Sequence, residues 1–325
     1  MKPKLTFLMP AHNEERIIGK ALESLIKLQK DYVAIEVLIG LDGCTDRTRE
    51  IVKAYTKKHP FFKYFELNER KGKQTVLEYL DPYIKGEIIL IHDADWIYKY
   101  GGKEKLKAFV HLFDNPKIGG IANGFTADFF PEEIASITSL GLLASAWGNH
   151  FLVEYIKKKQ TRRKEGNLLV DPEKMIFPFF LDVYRKSALD KTTSQKNLRA
   201  GDHIERTFRL LQAGYDILVP EDRELPRAEV TYRELSVKDF LKQRVRGIIA
   251  KHKIKSAYHM NLTFWNFHIP FLFYTAKQML HLKRMKDRVA LGLYWYGILY
   301  GIIVAKVKLS RELSINEVWN MRMRR

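Results

Sequence analysis

The run His92-Asp93-Ala94-Asp95 follows the apolar stretch Glu87-Ile88-Ile89-Leu90-Ile91. Two carboxylates one residue apart at the end of a buried strand can share one hard divalent cation, and that arrangement suits the diphosphate of a nucleotide. An Asp-x-Asp tripeptide alone is weak evidence, because long chains commonly contain one in a solvated turn. Here the preceding strand is continuously apolar rather than alternating, the pattern of a parallel strand buried on both faces. Ligands of open α/β sheets collect at the carboxyl ends of such strands.

Two other strand ends carry candidate chemistry. Pro10-Ala11-His12-Asn13-Glu14-Glu15 puts a flat imidazole and a carboxylate at the sheet edge; the ring can stack on a base and the carboxylate can accept from ribose hydroxyls. Farther along, Asp42-Gly43-Cys44-Thr45-Asp46-Arg47-Thr48 places Asp42 to accept from a base ring N–H, while Thr45 or Asp46 caps the following helix. The two roles use different residues, so both can hold.

These segments need a sheet to hold them. Leu5 to Met9, Ile35 to Leu41, Lys63 to Leu67, Glu87 to Ile91 and Ile118 to Ala122 have strand character. Between them, Glu15 to Lys30, Thr45 to Lys58, Gly72 to Tyr83 and Lys103 to Phe113 repeat apolar residues at helical period. Strands and helices that alternate at this spacing predict a parallel α/β sheet. Beyond it, Ala200-Gly201-Asp202-His203 precedes a helix over Ile204 to Ala213 and a strand over Asp216 to Pro220.

With 325 residues and 46% hydrophobic content, the chain can bury one large core or two modest ones. The single cysteine, Cys44, excludes an internal disulfide framework and a thiolate-rich metal site, and favours an intracellular setting. No secretory signal is read in the amino terminus, where Met1-Lys2-Pro3-Lys4 runs straight into a strand.

The net charge of +18 is unevenly spread. Residues 242–325 hold 17 Lys or Arg against 3 Asp or Glu, a net of +14, which leaves +4 for the first 241 residues. Two apolar segments lie in this last quarter, Leu262 to Leu280 and Val289 to Ala305, separated by Lys283-Arg284-Met285-Lys286-Asp287-Arg288. Basic flanks beside aromatic-rich apolar segments suit anionic lipid headgroups. Val289 to Ala305 would span roughly 26 Å as a helix, just short of a bilayer core of about 30 Å. Asn266, His268, Pro270 and Lys277 oppose a simple span by the first segment, so lying in the interface or forming a shallow hairpin is expected, with packing on the α/β domain as the alternative. Long uncharged apolar runs make a poor phosphate-tracking surface, so no nucleic-acid partner is expected. A second basic cluster, Lys157 to Lys164, is either a solvated face or a cradle for an anionic acceptor.

Pro10 to Glu14, Leu41 to Thr48 and Asp93 to Asp95 occur in an order and at a spacing that resemble the family 2 glycosyltransferases. Leu41 and Cys44 depart from that family's pattern, which often has Asp and Ser there. The resemblance implies a GT-A fold, a mixed sheet flanked by helices, over residues 1–235. Residues 1–130 would form the nucleotide-sugar half and 131–235 the acceptor half, and 236–325 a helical, membrane-associated region. It implies donor contacts from Pro10, Ala11, His12, Glu14, Asp42, Arg70, Lys73, Asp93 and Ala94, and a divalent cation, Mn2+ or Mg2+, on Asp93 and Asp95. Asp202 would be the catalytic base, with His203 as the competing candidate. Gln243-Arg244-Val245-Arg246-Gly247 resembles the Gln-x-x-Arg-Trp segment of processive members; Gly247 in place of Trp speaks against polymerisation, while Gln243, Arg244 and Arg246 remain candidates for acceptor or phosphate contact.

The activity implied is an inverting transfer of sugar from a UDP- or GDP-sugar to an acceptor hydroxyl or phosphate, expected to be lipid-linked, at the cytoplasmic face of a membrane. The alternatives are a nucleotidyltransferase on the same sheet, marked by pyrophosphate release, and a non-catalytic membrane or nucleic-acid binder.

Overall fold

The computed structural model describes residues 4–32, 34–122, 131–192, 202–221, 225–230 and 234–310. The amino-terminal part alternates as its periodicity predicts: β1 (Leu5–Ala11), α1 (Ile18–Asp31), β2 (Ile35–Asp42), α2 (Thr48–Lys58), β3 (Phe62–Leu67), α3 (Lys73–Leu80) and β4 (Ile88–Ile91). Strand β1 pairs in parallel with both β2 and β4, and β2 in parallel with β3. Every residue of β2 and of β4 is buried, because helices cover both faces of a parallel sheet.

After β4 come β5 (Trp96–Lys99), α4 (Lys103–His111), β6 (Ile118–Ile121), α5 (Pro131–Ile134) and the long α6 (Leu140–Gln160). The hairpin β7 (Thr161–Lys164) and β8 (Asn167–Val170) leads to β9 (Val183–Arg185), α7 (Lys186–Leu189), α8 (Asp202–Gln212), β10 (Asp216–Leu218) and β11 (Arg227–Val230). The main sheet has the order β3-β2-β1-β4-β9-β6-β10-β8-β7. Strand β9 lies antiparallel between β4 and β6, which makes the sheet mixed at its centre. Separately, β5 and β11 pair antiparallel and tie the segment after Asp95 to the end of the sheet-forming chain.

The basic cluster at 157–164 ends in this hairpin, where Arg162 and Lys164 face Asp216 at 3.5 and 3.6 Å and Arg163 pairs with Glu221 at 2.7 Å.

The remaining helices are α9 (Val237–Ala257), α10 (Ile269–Met279) and α11 (Met285–Ser310). Helices α6, α9 and α11 pack on one another through glycines: a Cβ on Gly148 would lie 1.9 Å from the Tyr294 ring, and one on Gly297 would lie 2.6 Å from Phe240. The segment from Leu262 breaks into a π turn, Phe264–His268, capped by Thr263, before α10 begins at Ile269-Pro270. Helix α11 is long and apolar enough to cross a membrane by length and composition, with a mean hydropathy of 1.5 over its most apolar window. One face of it is buried through Ala290, Leu291, Tyr294, Gly297, Ile298 and Gly301. The other exposes Val289, Tyr296, Leu299, Ile303 and Val307.

Candidate active site

Strands β1, β2 and β4 end side by side, and their terminal loops are stitched together. Asn13, at a φ of 56° that short polar residues tolerate, accepts from the Thr45 N–H at 2.8 Å and donates to Thr45 Oγ1 at 3.0 Å. The Glu14 N–H donates to Thr48 Oγ1, the Glu15 N–H to Asp46, and the Arg47 N–H back to Glu15. Asp46 also accepts from the N–H of Thr48, the first residue of α2, although the N-cap position itself falls on Arg47 and not on Thr45 or Asp46 as the sequence predicts. His12 bonds through Nδ1 to the Asp42 carbonyl at 2.5 Å, which fixes the imidazole between the two loops.

Asp42 has a role that the sequence did not indicate. Only 4% exposed, its carboxylate accepts from the Lys71 N–H at 2.6 Å and the Gly72 N–H at 2.9 Å. It thereby anchors the turn Arg70-Lys71-Gly72 against the end of β2. Gly43 makes the close approach possible: it has a φ of +59°, and a Cβ there would lie 2.5 Å from the Arg70 nitrogen. The turn leads directly into α3, whose first residue, Lys73, pairs with Asp93 at 2.7 Å and lies 5.7 Å from the centre of the Trp96 ring. Arg70 is exposed beside it.

Around Asp93, the Trp96 N–H bonds to the Asp93 carbonyl and closes a tight turn. Asp95 is 6% exposed; its burial, and then the Asp93 charge, push its carboxyl up to about 7. A buried carboxylate facing a second one is a site short of positive charge, and its oxygen donors suit a hard cation. Among the described residues no group of three His, Cys, Asp or Glu forms a complete metal site. A cation on the Asp93–Asp95 pair would take its remaining ligands from phosphate and water, the usual condition of Mg2+ sites. Under the pair, His92 is buried against Phe7, Trp96 and Tyr98, and neither ring nitrogen meets a hydrogen-bond partner. Burial holds it neutral, down to about 4.

The segment carrying Asp202 and His203 reaches the same place through β9. The Ile91 N–H donates to the Asp182 carbonyl, and the Asp182 carboxylate pairs with Arg206 of α8 at 3.2 Å in a buried bridge. Arg206 Nε also donates to the Leu181 carbonyl, and the Leu181 N–H to the His203 carbonyl. These contacts set the first turn of α8 against the chain that borders the Asp-x-Asp turn. Asp202 opens that helix, its side chain lying outside the described residues; His203 packs edge-on to Phe180 at 4.5 Å. Gln243, Arg244 and Arg246 lie on α9, where Arg244 faces Phe240 and Tyr294 of the helical layer.

The sequence model of Glycosyl transferase family 2 matches residues 6–192, more than half of the chain. The chain is 30% identical over 129 residues to the probable glycosyltransferase YdaM of Bacillus subtilis (strain 168), covering 38% of this chain and 30% of that protein. It is 29% identical over 239 residues to a dolichyl-phosphate beta-glucosyltransferase of Drosophila melanogaster, covering 71% of this chain and 66% of that protein. The fold is similar to the mannosyltransferase PcManGT from Pyrobaculum calidifontis, solved with GDP-Man and Mn2+, at a TM-score of 0.52 and 17% identity over 98% of this chain and 83% of that one.

Proposed function

The chain belongs to glycosyl transferase family 2, and from that premise we propose that it transfers a sugar from a nucleoside diphosphate to a lipid-linked acceptor hydroxyl or phosphate, with inversion at the anomeric carbon. The observation that carries the donor half is the convergence of Asp93, Asp95 and Lys73 at the end of β4, with the turn before Lys73 locked in place by the Asp42 carboxylate. Asp93 and Asp95 would hold a divalent cation, Mn2+ or Mg2+, which neutralises the diphosphate as it leaves. Lys73, already paired with Asp93, contributes a fixed positive charge to the same phosphates. Arg70, exposed at the turn, is placed to add a second.

Pro10, Ala11 and Ala94 line the strand ends with small or rigid backbone, and His12 offers a ring that its bond to Asp42 holds at a fixed angle for a base. Glu14 and Asp93 are the carboxylates available to ribose. Asp42 acts in donor binding mainly by positioning the turn before Lys73, since both of its oxygens already accept from that turn. On the opposite side, Asp202 as general base removes the acceptor proton as the oxygen attacks. The Asp182–Arg206 bridge keeps α8 in register with β4 while that happens.

The lipid-linked acceptor draws support from the similarity to dolichyl-phosphate beta-glucosyltransferases and from the exposed apolar faces of α10 and α11. Those faces, flanked by Lys283, Arg284, Lys286 and Arg288, would hold the protein on the anionic cytoplasmic leaflet, and the buried opposite face of α11 favours lying in the interface over crossing it.

The test of the donor site is a thermal-shift series with UDP, GDP, CMP and ADP, each with and without Mn2+, on the native chain and on Asp95→Ala. One nucleotide should raise the melting temperature in a cation-dependent way, and the variant should lose that shift. Equal shifts in both proteins would remove the Asp-x-Asp pair from the donor site.

A further inference from the structure

Helix α9 carries Arg244 and Lys251 seven residues apart, two turns along one face. The Arg244 guanidinium lies 5.2 Å from the Phe240 ring centre and 5.6 Å from that of Tyr294, and its Nε is buried without a hydrogen-bond partner. The Lys251 ammonium sits 4.3 Å from the centre of the Phe177 ring. Phe177 stacks on Phe267 at 4.7 Å, and Phe267 in turn meets His268 edge-on at 5.5 Å. Burial, then the Arg244 charge, pushes Lys251 down to about 7; burial, then the Lys251 charge, pushes His268 down to about 4.

Among the described residues, no carboxylate pairs with Arg244 or Lys251. Two side chains built to carry positive charge, with the buried His268 imidazole near Lys251, are therefore gathered among aromatic rings with no counter-charge, an arrangement that costs stability unless an anion fills it. Lys251 is partly exposed as a residue, so this cationic cluster can be reached from solvent. The outer flank is apolar: Trp265 of the π turn is 77% exposed and Phe273 of α10 is 72% exposed.

The cluster also has a connection to the active site. Phe177, which covers Lys251, is three residues from Phe180, which packs on His203 at the start of α8. Two residues later, the Asp182 carbonyl is bonded to the last residue of β4. One short segment thus touches the cationic cluster, the acceptor-side helix and the strand that delivers the Asp-x-Asp turn.

We propose that Arg244, Lys251 and His268 bind the phosphoryl group of a lipid, whose hydrocarbon chain leaves the cluster over Trp265 and Phe273. This rests on the lipid-linked acceptor assigned above and gives that acceptor an anchoring site. The phosphoryl group belongs either to the acceptor itself or to a membrane phospholipid, and the two sources share the chemistry of a phosphate ester on an apolar chain.

The test uses the full chain in mild detergent, with calorimetric titration of farnesyl phosphate, farnesol and inorganic phosphate. Flotation with phosphatidylcholine vesicles, plain or doped with phosphatidylglycerol, runs in parallel. Lys251→Met should weaken farnesyl phosphate binding about tenfold or more, leave farnesol binding unchanged, and raise the melting temperature by removing an uncompensated charge. Lys251→Arg should retain the binding. If the loss appears only on phosphatidylglycerol vesicles, the site stands and the membrane supplies the phosphate. Unchanged binding to both farnesyl phosphate and doped vesicles overturns the proposal, as does a fall in melting temperature with no loss of binding, the mark of a purely structural lysine. The nucleotide-dependent thermal shift is recorded on the same samples. Its absence in the native chain would strike the donor reading and leave the phosphoryl titration standing on its own.

Discussion

The two ends of this molecule treat charge in opposite ways. At the ends of β1, β2 and β4, charge is matched at short range: Lys73 meets Asp93, and the Asp42 carboxylate accepts from two backbone N–H groups. In the helical layer, Arg244 and Lys251 pack against rings without a carboxylate, and apolar side chains such as Ile303 and Phe273 face outward. The first region is preorganised, its loops locked by hydrogen bonds before any ligand arrives. The second is built to be completed from outside, because neither a buried unpaired cation nor a broad apolar face is stable in water alone. Buried ionisable groups therefore mean different things in the two places: surplus negative charge at Asp95, surplus positive charge at Lys251.

The sharpest way to break the comparison is at Asp95. Asp95→Asn keeps the shape and removes a buried charge that faces Asp93, so the unliganded protein should melt at a temperature about 2 °C or more higher. Sugar transfer should fall by about 10³-fold, the scale of losing metal-assisted charge neutralisation. Melting curves and turnover on the same preparation decide it: a variant that loses stability and activity together would make Asp95 a structural residue. Next in size is Asp182→Ala, which strands Arg206 in a buried site and should cost about 3–5 kcal/mol in denaturant unfolding. Its effect on turnover should exceed its effect on donor binding, because the bridge holds α8 and not the donor loops. Equal losses in both would show that β9 supports the whole sheet end instead of the acceptor side.

Most of the sheet end built by β1, β2 and β4 was legible in the sequence. Continuous apolar runs gave β1, β2 and β4, and the polar residues following each run mark the loops that the structure brings together. Strand β9 was not legible, since three residues, Val183-Tyr184-Arg185, carry no period, and their place is set by partners on both sides. The β5–β11 pair was missed for the same reason: its strands are 131 residues apart at Trp96 and Arg227 and find each other only in the folded chain. The anchoring role of Asp42 depends on backbone N–H groups 29 and 30 residues away, which no local pattern reveals. Among the helices, composition indicated an apolar, basic layer and left packing on the rest of the chain as an alternative, but not which face of α11 would pack on α6 and α9. That depends on glycines such as Gly148 and Gly297 admitting aromatic rings at close range.

The smaller effects separate the outward-facing surfaces from one another. Ile303→Asp lies on the exposed face of α11 at 65% exposure, so folding stability should change by less than about 0.5 kcal/mol. Flotation with phosphatidylglycerol vesicles should nevertheless fall about tenfold, since the apolar face and the anionic leaflet act together. Unchanged flotation would assign that face to another protein surface. The smallest effect is expected at Arg163→Ala in the β7–β8 hairpin. Arg163 pairs with Glu221 at 2.7 Å, but both side chains are more than half exposed, and such pairs are largely screened by salt. Neither melting temperature nor vesicle flotation should move. A basic hairpin that did contribute to flotation would have to do so through charges already committed to Asp216 and Glu221, so a measurable loss there would show that those pairs open when an anionic surface approaches. The contrast between paired and unpaired cations would then depend on the membrane rather than on the fold.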